Sequence, residues 1–294
     1  FTNANEIENP FYGHAKVTIN GGTFKYLGSN DNGNLQKGIF GAGAGGMNGI
    51  GDGQHTPDKR IGYWDDKVMK FGPYETAKTN LLKYNCYNAD THTYTEISPL
   101  DTKTEMIING GEFGTDAAPI DGVYAGGSGY MAPGLWTNAP KAIPSRHGGN
   151  IYGTKGQTVV SLSINGGTFY CTEGVFAGGR GTDYYYKYDG KHYGASDASV
   201  YDKLGQIYGN VEMNIIGGEF HCPVFGGGYG VADVQLSAET FNTLSDMALI
   251  RGKSVVNIKG GTFYGNVYGG GDMARIDNGD DDATVLNISE AADI

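Results

Sequence analysis

Apolar and polar residues alternate with period two over short stretches that recur along the chain, and each stretch runs into a pair of glycines. The stretches are Val17-Thr18-Ile19, Met106-Ile107-Ile108, Leu162-Ser163-Ile164, Met213-Asn214-Ile215 and Val256-Asn257-Ile258. Such alternation predicts a strand with one face turned inward. The glycine pairs begin at Gly21, Gly110, Gly166, Gly217 and Gly260, and two residues beyond each pair stands Phe24, Phe113, Phe169, Phe220 or Phe263. Glycine adopts positive φ without a Cβ clash, so the pair predicts a corner. Asn20, Asn109 and Asn165 precede three of the pairs, as residues tolerant of the left-handed region would.

The second half of the unit is a β-branched residue followed by an aromatic: Ile39-Phe40, Val123-Tyr124, Val175-Phe176, Val224-Phe225 and Val267-Tyr268. An upstream element recurs as Phe11-Tyr12-Gly13, Ile151-Tyr152-Gly153, Ile207-Tyr208-Gly209 and Ile250-Arg251-Gly252. Each repeat therefore has about three strands, and a sixth repeat opens at Val285-Leu286-Asn287-Ile288. Identical residues recurring at equivalent positions form columns when repeats stack, because each repeat covers the apolar edge of the next. The fold these columns predict is all-β: a parallel β-helix, or solenoid, of about five to six coils forming a single domain over 1–294. Burying each Phe and Ile of a column contributes roughly 1.5–3 kcal/mol, set against the chain entropy of 51 glycines.

What varies between repeats is the insertion. From Gly21 to Gly110, Gly166, Gly217 and Gly260 the intervals fall from 89 to 56, 51 and 43 residues. Insertions of about 47–103, 128–156, 180–206, 229–249 and 272–283 leave after the small-residue strip, which predicts that they emerge from one corner and form a flank. Loops on a rigid scaffold are where function concentrates. The first carries Trp64, Cys86 and a hairpin around Tyr84 to Tyr94, the second Trp136, and the fourth a short helix from Ser237 to Met247. The third carries Tyr184, Tyr185, Tyr186 and Tyr188. Aromatic faces beside Asp and Lys suit sugar rings, so Trp64, Trp136 and these tyrosines are the candidate ligand-binding residues. Packing of the loop onto its own tyrosines is the competing reading.

No catalytic residues are assigned. Asp116, Asp121, Glu173, Arg180 and Asp183 are the flank candidates for a carboxylate pair or a nucleophile beside a base, and surface charge is the competing reading for each. Asp277, Asp280 and Asp282 form a candidate Ca2+ turn that lacks EF-hand spacing and competes with a solvated acidic turn. No other cofactor is implied. Cys171 and Cys222 share a column and should be stacked neighbours, as free thiols or as a disulfide.

A net charge of −11 argues against nucleic acid or an anionic membrane surface as partner. No run of 18 apolar residues is present, so no membrane insertion is expected. The chain opens on Phe1, which suggests a piece of a longer chain.

The Ile-x-Gly-Gly-Thr-Phe corner followed by Val267-Tyr268-Gly269-Gly270-Gly271 resembles the repeats of large secreted or surface β-helix proteins of bacteria, in particular adhesin-like proteins of the gut Bacteroidetes type. Phe263-Tyr264-Gly265-Asn266 is loosely similar to the repeats of polymorphic outer-membrane proteins. The resemblance covers the columns and none of the insertions. It implies a right-handed β-helix, an extracellular or cell-surface location, and a noncatalytic role as an adhesin or a module binding a glycan or a host or bacterial surface protein. Two further classes share the fold. One is polysaccharide lyases or glycoside hydrolases of the pectate-lyase-like type, whose Asp ligands and Arg base do not map onto this chain; the other is a structural filament or phage-spike segment.

Overall fold

The computed structural model describes residues 8–11, 14–25, 38–43, 61–65, 68–72, 86–88, 93–95, 103–129, 147–153, 156–181, 205–230, 247–279 and 282–294. Among them the chain is all-β, with four sheets of parallel strands and two antiparallel pairs. Each repeat contributes one strand to each sheet in turn, with the exceptions described below, so the molecule is a stack of rungs.

The period-two stretches form the second sheet of each rung: His14–Ile19, Lys103–Ile108, Thr158–Ile164, Asn210–Ile215, Ser254–Ile258 and Thr284–Ile288. Their register matches the sequence columns, with Ile19, Ile108, Ile164, Ile215, Ile258 and Ile288 paired in succession. The Ile column from Ile19 to Ile258 is buried, as are Met106, Leu162, Met213 and Val256.

The phenylalanines form a sheet of their own, the third, from Thr23–Phe24, Glu112–Phe113, Thr168–Phe169, Glu219–Phe220 and Gly261–Phe263, closed by Ala292–Asp293. This gives four strands per rung where three were expected. A two-residue strand is too short to show a period, and only its in-register pairing reveals it. The five rings stack with centroids 4.9, 4.6, 4.8 and 4.6 Å apart. Those separations match the spacing of paired strands, so the backbone repeat itself sets the aromatic stack.

The second glycine of every pair makes the corner between these sheets, at φ +108, +124, +117, +121 and +106. The asparagines do not share in it, because Ala248 and Met273 are the non-glycine residues with positive φ among those described. They bond along the stack instead: the Asn109 amide donates to Asn20 (2.8 Å) and the Asn165 amide to Asn109 (2.7 Å). A second ladder joins Asn257 to Asn214 (3.0 Å) and Asn287 to Asn257 (2.8 Å). Gly167→Ala tests the corner, since a Cβ there would lie 3.1 Å from the Gly111 carbonyl on a backbone at φ +117. It is expected to cost about 1–3 kcal/mol. Gly270→Ala, with nothing within 4 Å, should stay within about 0.5 kcal/mol of the parent in the same urea melts.

The fourth sheet holds Ile39–Phe40, Ile120–Tyr124, Cys171–Phe176, Val224–Phe225 and Val267–Tyr268. Its β-branched residues join the main core, while Tyr124, Phe176 and Phe225 build a second buried cluster with Tyr229. The first sheet comprises Glu8–Phe11, His147–Tyr152, Ile207–Tyr208 and Ile250–Arg251. The upstream elements pair as aligned, Phe11 with Ile151, Ile151 with Ile207 and Ile207 with Ile250. Glu8–Phe11 lies directly beside His147–Tyr152, although Lys103–Ile108 separates the strands that follow them in the second sheet. Among the described residues, no strand of the first insertion joins the first sheet.

Candidate functional site at the insertion corner

Glycine and alanine carry each rung from the fourth sheet to its insertion: Gly41–Gly43, Ala125–Gly127, Ala177–Gly179, Gly226–Gly228 and Gly269–Gly271. Close backbone approach explains the small residues. A Cβ on Gly127 would sit 2.3 Å from the Gly149 carbonyl, one on Gly179 2.3 Å from that of Gly205, and one on Gly228 2.6 Å from that of Ala248. The segment leaving the rung therefore touches the segment that returns. Gly149, Gly205 and Ala248 return with φ +72, +67 and +55. Each of these three insertions is a closed excursion from the same corner.

At that corner Ser128, Arg180, Tyr229 and Asp272 bridge one another in a parallel column. Arg180 is fully buried. Its Nε donates to Glu173 Oε2 at 2.8 Å, its Nη2 donates to Glu173 Oε1, and Tyr124 Oη donates to Glu173 Oε2. The guanidinium also lies 5.1 Å from the Tyr229 ring centroid and 5.9 Å from that of Tyr124. Burial first, and the Glu173 carboxylate second, hold the Tyr124 hydroxyl well above its ordinary pKa, so it stays a donor. Burial also raises the Asp272 carboxyl. A carboxylate whose two oxygens already accept from Arg180 and Tyr124 is arranged to hold rungs together, not to take a proton from substrate. Glu173 and Arg180, flank charges in the sequence, are here one buried ion pair.

Sequence reasoning missed this cluster. The signal that would have found it is Arg180 ending the strip Ala177-Gly178-Gly179, where Ser128 and Tyr229 end the neighbouring strips. A second unforeseen feature is an outer column one residue past the phenylalanines. Tyr170, His221 and Tyr264 stack with centroids 4.2 and 4.4 Å apart, and Tyr264 is exposed.

Of the predicted ligand-binding residues, Trp64 lies in the strand Ile61–Asp65, which pairs with Val68–Gly72. Its side chain is outside the described residues, as are Trp136, Tyr184, Tyr185, Tyr186 and Tyr188. The structure therefore neither assembles nor separates that set. The expected hairpin is present as Cys86–Asn88 against Thr93–Thr95, with Tyr87 opposite Tyr94. The helix expected from Ser237 lies outside the described residues up to its last position, Met247, which is in a turn.

Asp116 is exposed and Asp121 half-buried, while Asp183 lies outside the described residues. In the acidic turn Asp277 Oδ1 accepts the Gly279 N–H at 3.1 Å, and Asn278 Nδ2 donates to the Asp282 carbonyl at 3.4 Å; Asp280 is outside the described residues. Among the described residues no group of three or more His, Cys, Asp or Glu side chains could hold a metal ion. Cys171 and Cys222 are buried free thiols. The hydrogen bond between them, with burial, raises the Cys171 thiol well above its ordinary pKa. The described residues include no helix long and apolar enough to cross a membrane.

Comparison with protein-family models, curated proteins and solved structures found no match to this chain.

Proposed function

We propose that the chain is a right-handed parallel β-helix working as a noncatalytic, extracellular or cell-surface binding module, adhesin-like in use, that takes a glycan or a surface protein on its insertion side. The observation that carries this reading is the common corner. Three insertions leave and return through touching backbones at Gly127 and Gly149, Gly179 and Gly205, and Gly228 and Ala248, on a scaffold whose columns are alike from rung to rung. A uniform stack offers no unique pocket, whereas insertions held at one corner bring different side chains to one side. The Glu173–Arg180 pair fits the reading because it stiffens that corner.

The test is a glycan and surface-protein array probed with the parent and with a variant lacking residues 182–193. Since Gly181 and Gly205 lie on either side of that segment and the closure cost varies only logarithmically with loop length, the deletion should leave the melting temperature nearly unchanged. Binding should fall by about tenfold or more, equivalent to about 1.4 kcal/mol. Unchanged binding removes the tyrosine cluster from the site. Release of reducing ends or unsaturated sugars from a polysaccharide panel replaces the binding reading with the enzymatic one.

A further inference from the structure

Two thiols meet inside the stack. Phe169 pairs with Phe220 in adjacent rungs, and the residues that follow, Tyr170 and His221, stack with ring centroids 4.2 Å apart. Cys171 and Cys222 come next in each rung, so the register brings them opposite one another, and their thiols are hydrogen-bonded to each other. Paired parallel strands lie about 4.8 Å apart, inside the Cα separation that a disulfide spans. Both side chains are buried. The column offers sulfur no other partner, since Ile120 pairs with Cys171 on one side and Gly265 lies against the Cys222 backbone on the other.

Beyond the thiols the two rungs diverge. Val175 pairs with Val224, so Thr172, Glu173 and Gly174 occupy the stretch that Pro223 alone fills in the next rung. That bulge carries Glu173 to Arg180. The thiol pair thus stands at the foot of the bulge, and the chain between the two cysteines contains Arg180 and the whole insertion that closes where Gly179 meets Gly205.

We propose that Cys171 and Cys222 are an oxidation site for a small peroxide, which converts them into a disulfide stapling the two rungs at the foot of the third insertion. One sulfur attacks a peroxide oxygen, the O–O bond breaks, and a sulfenic acid forms with release of water. The second thiol attacks that sulfur, the S–O bond breaks, and the hydroxyl leaves with the thiol proton as a second water. Two electrons pass from the two sulfurs to one peroxide molecule. A thiol reductant reverses the staple by exchange. The hydrogen bond to Cys222, burial and the carboxylates of Asp121 and Glu173 raise the Cys171 thiol well above its ordinary pKa, so its thiolate is scarce and oxidation is slow.

This inference rests on the rung register and stands apart from the binding reading. Its test is to incubate the 294-residue chain with hydrogen peroxide, alkylate the remaining thiols, and map the peptides by mass spectrometry without reduction, with thermal melts alongside. A peptide joining Cys171 to Cys222 should appear, two hydrogens lighter than the sum of its parts. The melting midpoint should rise by about 5 °C or more, because a long loop is closed, and a thiol reductant should return it to its starting value. Cys222→Ala, which keeps a small apolar side chain in the core, should show neither the link nor the rise. Thiols left unreacted overturn the proposal, as does a sulfinic acid on unlinked Cys171. So does a link from either cysteine to Cys86, or a Cys171–Cys222 link that leaves the midpoint unchanged. The measurements on the parent decide these outcomes whether or not the variant folds.

Discussion

Phe169→Ala is expected to destabilise the protein by about 3–5 kcal/mol, lowering the midpoint of thermal unfolding by about 10 °C for a chain of this size. The ring is fully buried in the middle of the phenylalanine column, 4.6 Å from Phe113 and 4.8 Å from Phe220, so its loss opens a void that both neighbours line. Relaxation is restricted, because each neighbouring rung is fixed by its own strand pairings and cannot close the gap without slipping. Phe24→Ala provides the contrast. Phe24 is half-buried at the end of the column and touches one ring of it, so its loss should cost markedly less. A Phe169→Ala protein melting within a degree or two of the parent would mean that the phenylalanines do not form one column.

The second large effect is expected at the insertion corner. Arg180→Met removes the guanidinium that both Glu173 oxygens accept from, leaving a largely buried carboxylate with Tyr124 as its one remaining donor of the trio. Breaking a buried pair from one side typically costs about 3–5 kcal/mol. Glu173→Gln combined with Arg180→Met should recover much of this, because the stranded charge is gone and Met fills an apolar space between aromatic rings. Urea melts of the two single variants and the double variant measure the coupling. Additive losses would show that the two side chains act independently. If Arg180→Met alone were neutral, the corner would not depend on the pair at all.

The columns were legible in the sequence because in-register stacking demands the same residue type at the same place in every rung. Ile19 to Ile258 and Phe24 to Phe263 keep that pattern across insertions of very different length, and the structure pairs them as aligned. The fourth strand was not legible, since Thr168–Phe169 is too short to alternate and its identity comes from its partners. The role of the asparagines was misread for a related reason. Asn109 beside a glycine corner looks like a turn residue, and its place in a ladder shows only once Asn20 and Asn165 are seen above and below it.

The candidate site was legible only in outline. Residue spacing located the insertions and their corner, but it could not reveal the contacts made there. Arg180 and Glu173 are seven residues apart on one chain segment, while Tyr124 comes from the rung before and Tyr229 from the rung after. A cluster drawn from three rungs has no signature in any one of them. The glycines at the same corner posed the opposite problem. In the sequence they are only a small-residue strip, and the reason for it appears where Gly127 and Gly179 meet backbones that come into contact.

The central claim is that residues far apart in sequence lie one strand spacing apart per rung. Spin labels placed pairwise on the outward column of the second sheet measure this in solution. Lys16, Glu105, Ser161, Glu212, Val255 and Val285 occupy successive rungs of that column. With the first label held at Lys16, pulsed EPR should give a separation of about 19 Å to Val255 and about 24 Å to Val285, as four and five steps of strand spacing require. Narrow distributions at those distances would confirm the stack. Broad distributions, or separations that do not grow from Val255 to Val285 by one strand spacing, would contradict it.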